Sequence, residues 1–181
     1  MKMKPFVAAL AVVASLLSFC SCEKEGVKLF DGNYSFKTSG ILTIERTAKV
    51  SESDASAEIL DIPDGNRAFK LPLTSESGQM NIIKTGDNSV IVTMNVVGGD
   101  AFVFSGKAEG KVLTLDPAVR FLSFRDGANT VSLEITVSGT AEKHDDVAIF
   151  TLEYTGGGET TLYDYKILAS EVKCVAKLNE D

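Results

Sequence analysis

The chain has no tryptophan, a single histidine, three cysteines and four prolines in 181 residues. These shortages exclude a good deal. The one histidine, His144, stands in the polar turn Glu142-Lys143-His144-Asp145-Asp146, which lacks the shaped, partly dry pocket that a general base needs; it is expected to be exposed and idle. Neither a Gly-x-Ser-x-Gly elbow nor a metal-ligand spacing occurs. The Asp-rich turns Asp61-Ile62-Pro63-Asp64-Gly65-Asn66 and Asp145-Asp146 offer oxygens to a hard cation, but neither carries the full Asp-x-Asp-x-Asp-Gly spacing, and both read as ordinary turns. No catalytic residue, no metal ligand and no cofactor is therefore assigned, and the chain is read as a non-enzyme.

Basic residues are also few, 18 against 25 acidic ones, for a net charge of −7. A polyphosphate partner needs a positive footprint, so nucleic acid is excluded. The acidity instead keeps a crowded protein soluble.

Long apolar runs are limited to one, Phe6 to Leu17, preceded by Lys2 and Lys4. That layout is a secretory signal peptide. As a helix the run would rise only about 18 Å, against about 30 Å of hydrocarbon in a bilayer. Of the two cysteines that follow, Cys20 comes directly after bulky Phe19, whereas Cys22 comes after small Ser21, the residue that lipoprotein cleavage requires. Cys22 is therefore the expected lipidation site. Several long chains on one cysteine, at about 0.8 kcal/mol per buried methylene, give stable anchoring. This divides the chain into a leader over 1–21, a lipidated cysteine and tether over 22–30, and one domain over 31–181. Loss of Lys2 and Lys4 with the leader takes the net charge from −7 to about −9. The acidic stretch Glu23-Lys24-Glu25-Gly26 resembles the export tags of surface-displayed lipoproteins in the Bacteroidetes, which implies an outer-membrane, surface-exposed, lipid-anchored protein.

With Cys20 removed and Cys22 acylated, Cys174 is the last thiol, and no internal disulfide can form. Stability must come from a core, and about 160 residues suffice to bury roughly 70% of the unfolded surface. Cys174 shares a face with Val172 and Ala176 and is expected inside. It could act as a nucleophile only if the last strand met the His144 turn in space.

No amphipathic helix is visible past Gly26. Period-two alternation recurs instead, in Val131, Leu133, Ile135 and Val137, in Val90, Val92, Met94 and Val96, in Phe150, Leu152 and Tyr154, and in Tyr163, Tyr165 and Ile167. Each is a half-buried strand. Between them lie Thr85–Asn88, Glu109–Lys111, Arg125–Ala128, Lys143–Asp145 and Thr155–Gly158, all rich in residues that tolerate hairpin turns. The spacing predicts strands near 33–38, 40–47, 57–61, 67–73, 79–84, 89–97, 101–106, 111–115, 119–125, 130–140, 146–155 and 160–177. Regularly spaced short strands mean a sandwich or a barrel. Closure removes exposed edges, which favours an all-β antiparallel barrel of about 8–10 strands, with a β-sandwich as the alternative. The stretch Ala48 to Glu58 has no apolar period and reads as a loop, a candidate rim or lid.

The opening Asp31-Gly32-Asn33-Tyr34-Ser35-Phe36, followed by Ser39-Gly40-Ile41-Leu42-Thr43-Ile44, resembles the first hairpin of calycin-like β-barrel lipoproteins. Lipocalins open with a Gly-x-Trp signature that plugs the closed end, and here Gly32-x-Tyr34 takes its place. The resemblance implies an up-and-down barrel; the cation that the family's last strand sets beside that ring has no recognisable counterpart here, with only Lys173 and Lys177 on offer.

The aromatic hairpin formed by Phe150–Tyr154 and Tyr163–Ile167 is the candidate binding element. One register pairs Tyr154 with Tyr163; the other pairs Tyr154 with Tyr165 and sets Glu153 opposite Lys166. Both put the aromatics on one face. If that face looks into an open lumen, Tyr154, Tyr163 and Tyr165 bring hydroxyls into an apolar pocket suited to a small apolar ligand or a glycan. If the interior is filled, the same hydroxyls bond to backbone and the expected partner is another envelope protein, met through loops or an apolar patch.

Overall fold

The computed structural model describes residues 26–49 and 66–180. The leader, Cys22, most of the Ala48–Glu58 loop, the expected strand at 57–61 and the Asp61–Gly65 turn lie outside the described residues.

A short helix, α1 (Gly26–Phe30), leads into nine antiparallel strands: β1 (Gly32–Ala48), β2 (Asn66–Pro72), β3 (Glu76–Lys84), β4 (Ser89–Val96), β5 (Ala101–Glu109), β6 (Val112–Asp126), β7 (Asn129–His144), β8 (Val147–Glu159) and β9 (Tyr163–Leu178). Neighbours in sequence are neighbours in the sheet from β3 to β9, and β9 returns to pair with β1 over its whole length. The sheet thus closes into a ring of eight strands. The ninth, β2, continues the line of β3. Both run antiparallel to β1, β3 beside Gly32–Thr38 and β2 beside Ile41–Thr47. The fold is an all-β, up-and-down barrel.

Alternation explains the closure. On β7, Val131, Leu133, Ile135 and Val137 are buried while Ser132 and Glu134 face out. The same in-and-out pattern on β1, β4, β5, β8 and β9 assembles one core around Tyr34, Leu42, Ile44, Met80, Leu133 and Phe150. Each such side chain contributes roughly 1.5–3 kcal/mol on leaving water. Four of the five expected turns fall between strands.

Several expectations need correction. The predicted strands 33–38 and 40–47 are one strand, β1. Gly40 is no turn: a Cβ there would run into the Glu171 and Val172 backbone of β9, so the residue allows two strands to approach. The strands predicted at 111–115 and 119–125 are likewise one, β6, with a bulge between Leu115 and Ala118. The glycines of Thr155–Gly158 lie within β8, and the real turn is three residues later, where the Thr160 amide bonds to the Tyr163 carbonyl at 2.7 Å. Gly157 is opposite Lys166 and Gly158 opposite Tyr165. Neither expected register therefore forms, and Tyr154 pairs with Val137 on β7. A register shift between Leu152 and Gly157 still leaves Tyr154 and Tyr165 facing inward.

The last part of the expected tether is also structured. Residues 26–30 are α1, with Val27 and Phe30 fully buried under one end of the barrel. There the Tyr34 hydroxyl donates to the Phe30 carbonyl at 2.8 Å, and Lys143 Nζ donates to the Tyr34 oxygen at 2.9 Å. The ammonium also lies 4.5 Å from the Tyr34 ring centroid, a cation–π distance. The cation at this end comes from β7, not from Lys173 or Lys177 on β9. Burial, and then Asp31, push the Tyr34 hydroxyl up to about 12, while burial lowers the Lys143 pKa against the pull of Asp146.

Candidate functional site

Among the described residues the barrel wall is not continuous. On β6 the ladder to β5 covers only Val112–Leu115, opposite Gly106–Glu109. Asp116-Pro117 follows, and proline has no N–H to donate to a neighbouring strand. From Ala118 to Asp126, β6 pairs with β7 alone. Across from it β2 pairs with β1 alone and ends at Pro72. Two strand edges therefore flank a seam in the wall.

A cavity of about 340 Å³ occupies this seam and reaches the interior. Its apolar lining includes Leu71, Leu73, Leu122, Phe124 and Ile135, and its polar lining comes from Thr38, Thr74, Glu76, Arg120, Ser123 and Tyr154. The Phe69 and Phe124 rings, 6.0 Å apart, bridge β2 and β6. Arg120 makes a second bridge, with Nη2 3.4 Å from Glu76 and its guanidinium carbon 3.3 Å from the Phe102 ring centroid. The alternation of β6 turns Arg120 inward, and its side chain is only 16% exposed.

Two polar atoms on this lining are buried without a hydrogen-bond partner, Thr38 Oγ1 and Arg120 Nε. Thr38 is 3% exposed, and the polar side chain opposite it on β9 is the Cys174 thiol, a weak hydrogen-bonding group. A buried polar group without a partner costs about 1–3 kcal/mol. Tyr154 stays a neutral hydroxyl, its pKa raised by burial against the opposing pull of Arg120. The isosteric change Thr38→Val, which removes the unpaired hydroxyl, is expected to stabilise the protein by about 1 kcal/mol. Urea denaturation measures this, and a loss of stability would mean that the hydroxyl is satisfied after all.

Of the three tyrosines singled out in the sequence, only Tyr154 lines the cavity. Tyr165 donates its hydroxyl to Asp126 Oδ2 at 2.8 Å. Arg46 donates to the same oxygen at 2.8 Å and lies 4.5 Å over the Tyr163 ring. This cluster closes the end of the barrel opposite α1. Tyr154 thus faces the seam cavity, while Tyr163 and Tyr165 belong to the cluster at this end. Sequence reasoning missed Arg120, Thr38 and Glu76. The signal for Arg120 was its parity with Leu122 and Phe124, which places a charge on the inner face of a strand.

Cys174 is fully buried on β9, and burial pushes its thiol up to about 11, far from a reactive thiolate. His144 is on the surface, 3.5 Å from Glu142. Among the described residues no three His, Cys, Asp or Glu side chains converge as metal ligands. A second hollow of about 460 Å³, lined by Ser39, Thr151, Ser170 and Lys173, is a shallow depression on the outside of β9.

The geometry defines a closed antiparallel barrel with a side-wall cavity. No protein-family model and no curated protein matches this sequence. Among solved structures the chain is similar to EF1p2_mFAP2b bound to DFHBI, at 10% identity over 87% of this chain and 99% of that one, with a TM-score of 0.40. It is also similar to a redesigned beta barrel, b11L5F_LGL, at 12% identity over 88% and 98% of the two chains and a TM-score of 0.35. Rv2717c from M. tuberculosis aligns at 15% identity over 85% and 95%, with a TM-score of 0.33. At these values the fold assignment rests on the chain's own strand pairing.

Proposed function

We propose that this protein is a cell-envelope lipoprotein, held to the outer membrane by lipid on Cys22 and displayed at the surface, whose barrel binds a small, mainly apolar ligand without catalysis. The observation that carries the binding reading is the 340 Å³ seam cavity, whose lining combines apolar side chains with polar ones and includes two residues with buried, unpartnered polar atoms. Small-ligand sites have this composition, and natural interiors rarely leave such groups unpaired. A glycan is the second ligand class, since Thr38, Thr74, Glu76, Arg120, Ser123 and Tyr154 offer polar groups in the same lining.

The test uses the full chain recovered from its own cells. Mass spectrometry of extracts is expected to find a small molecule near one equivalent, absent from Leu122→Trp, whose larger side chain fills the cavity. Equal recovery from both forms, or none from either, would sink the reading. Palmitate labelling should be lost in Cys22→Ala and kept in Cys20→Ala; the reverse pattern would move the anchor.

The alternative, an interaction protein for another envelope component, draws on Val119 and Phe121, which are 64% and 70% exposed on the outer face of β6 beside the unpaired edge.

A further inference from the structure

We propose that the seam cavity selects an uncharged amphiphile, entering between β2 and β6, whose head group is a hydrogen-bond acceptor such as an amide or alcohol and whose apolar body lies against Leu71, Leu122 and Phe124. The proposal rests on the binding reading above and adds the chemistry of the ligand and its route.

The charge ledger decides the head group. Among the described residues Arg120 is the one cation lining the cavity, and Glu76, 3.4 Å away, already answers it. An entering carboxylate would meet a pair with no net charge and would place a second anion beside Glu76. A buried ion without its own counter-ion is strongly disfavoured. An ammonium would face the same obstacle from Arg120. A neutral acceptor meets neither. Its oxygen can accept from the Arg120 guanidinium, and a donor on the same head can bond to the Tyr154 hydroxyl oxygen, since both side chains line the space. The Tyr154 hydroxyl lines the same space and is neutral. A primary amide, with both a carbonyl and an N–H, suits the set best.

The route follows from what blocks the two ends. Val27, Phe30 and the Lys143–Tyr34 pair fill one end, and Arg46, Asp126 and Tyr165 fill the other. Among the described residues the side wall is open where the β5–β6 ladder ends before Pro117. A ligand of about 340 Å³, the liquid volume of roughly eleven waters, can enter there without unfolding either end.

The experiment is calorimetric titration of the mature chain from residue 22 onward, with Cys22→Ser so that no lipid is attached. The three probes share an eight-carbon body: octanamide, 1-octanol and octanoate, at neutral pH. Octanamide and 1-octanol are expected to bind, and octanoate to bind at least about tenfold more weakly. Glu76→Gln, which leaves Arg120 without its counter-ion, should reverse the order in favour of octanoate. Octanoate binding as tightly as octanamide to the unaltered cavity would overturn the head-group inference and leave the binding reading standing. An order unchanged by Glu76→Gln would do the same. Binding of none of the three would remove both. The rank order in the parent protein decides the matter even if the Glu76 variant fails to fold.

Discussion

Phe30→Ala is expected to destabilise the protein by about 3–5 kcal/mol, the range for removing a large ring from a closed core. Phe30 is fully buried although it lies in a helix of only five residues at the start of the described chain. An isolated helix of that length would not persist in water. What holds it is tertiary. The α1 backbone packs against the β5–β6 turn closely enough that a Cβ on Gly26 would meet the Gly110 amide nitrogen at 2.7 Å. The Phe30 carbonyl also accepts the Tyr34 hydroxyl, which in turn accepts from Lys143. Shrinking the ring opens a cavity above this chain of bonds. A protein starting at residue 31 loses Val27 as well and should be weakened at least as much. Urea denaturation of the mature chain measures both. A loss below about 1 kcal/mol for Phe30→Ala, the size of an ordinary surface effect, would mean that α1 is part of a tether and does not close the barrel.

Asp126→Asn is expected to cost about 2–3 kcal/mol at neutral pH, the scale of hydrogen bonds made to a charged group. One carboxylate oxygen receives both Arg46 Nη1 and the Tyr165 hydroxyl at 2.8 Å. The Arg46 and Asp126 side chains are 15% and 22% exposed, so solvent screens the pair only in part. Burial pulls the Asp126 pKa up, but the bonds from Arg46 and Tyr165, with the charges of Arg46 and Arg67, outweigh it and hold the carboxyl below its usual range. A depressed acid pKa gives stability that is complete above the unfolded value, about 3.9, and is lost as pH falls through the folded one. The gap between parent and variant should therefore be constant near neutrality and narrow below about pH 4. A gap that persisted unchanged into stronger acid would show that the carboxylate charge is not what stabilises this end. Burial, followed by the bond to Asp126, pushes the Tyr165 hydroxyl up to about 12, so it remains a donor throughout that range.

The strands were the most legible feature because alternation is a local property. Val131 to Val137 and Val90 to Val96 declare an inner and an outer face without reference to any other part of the chain, and both lie inside as read. The glycines were the least legible. Gly40 and Gly157 look like turn residues in isolation, yet each occupies a place where a neighbouring strand passes too close for a Cβ. Whether glycine serves a turn or a close approach depends on the partner strand, which local sequence does not contain. Pro117 shows the same ambiguity, since it ends one ladder while β6 itself continues.

The site was harder to read for a related reason. Tyr154, Tyr163 and Tyr165 were found by their common parity, but parity says which way a ring points and not what meets it. Asp126 reaches Tyr165 and Arg46 across 39 and 80 residues of sequence, and Arg120 reaches Glu76 across 44. Such pairings exist only once the ring has closed. The sequence by itself determined the all-β class, the inner and outer faces of the most regular strands and most of the turns, because these follow from period two and backbone preference. The tertiary structure decided which ends are plugged, that Lys143 and not a residue of the last strand covers Tyr34, and that the seam cavity opens through the wall. Those outcomes depend on strand register and on where two prolines interrupt pairing, and both are settled between strands.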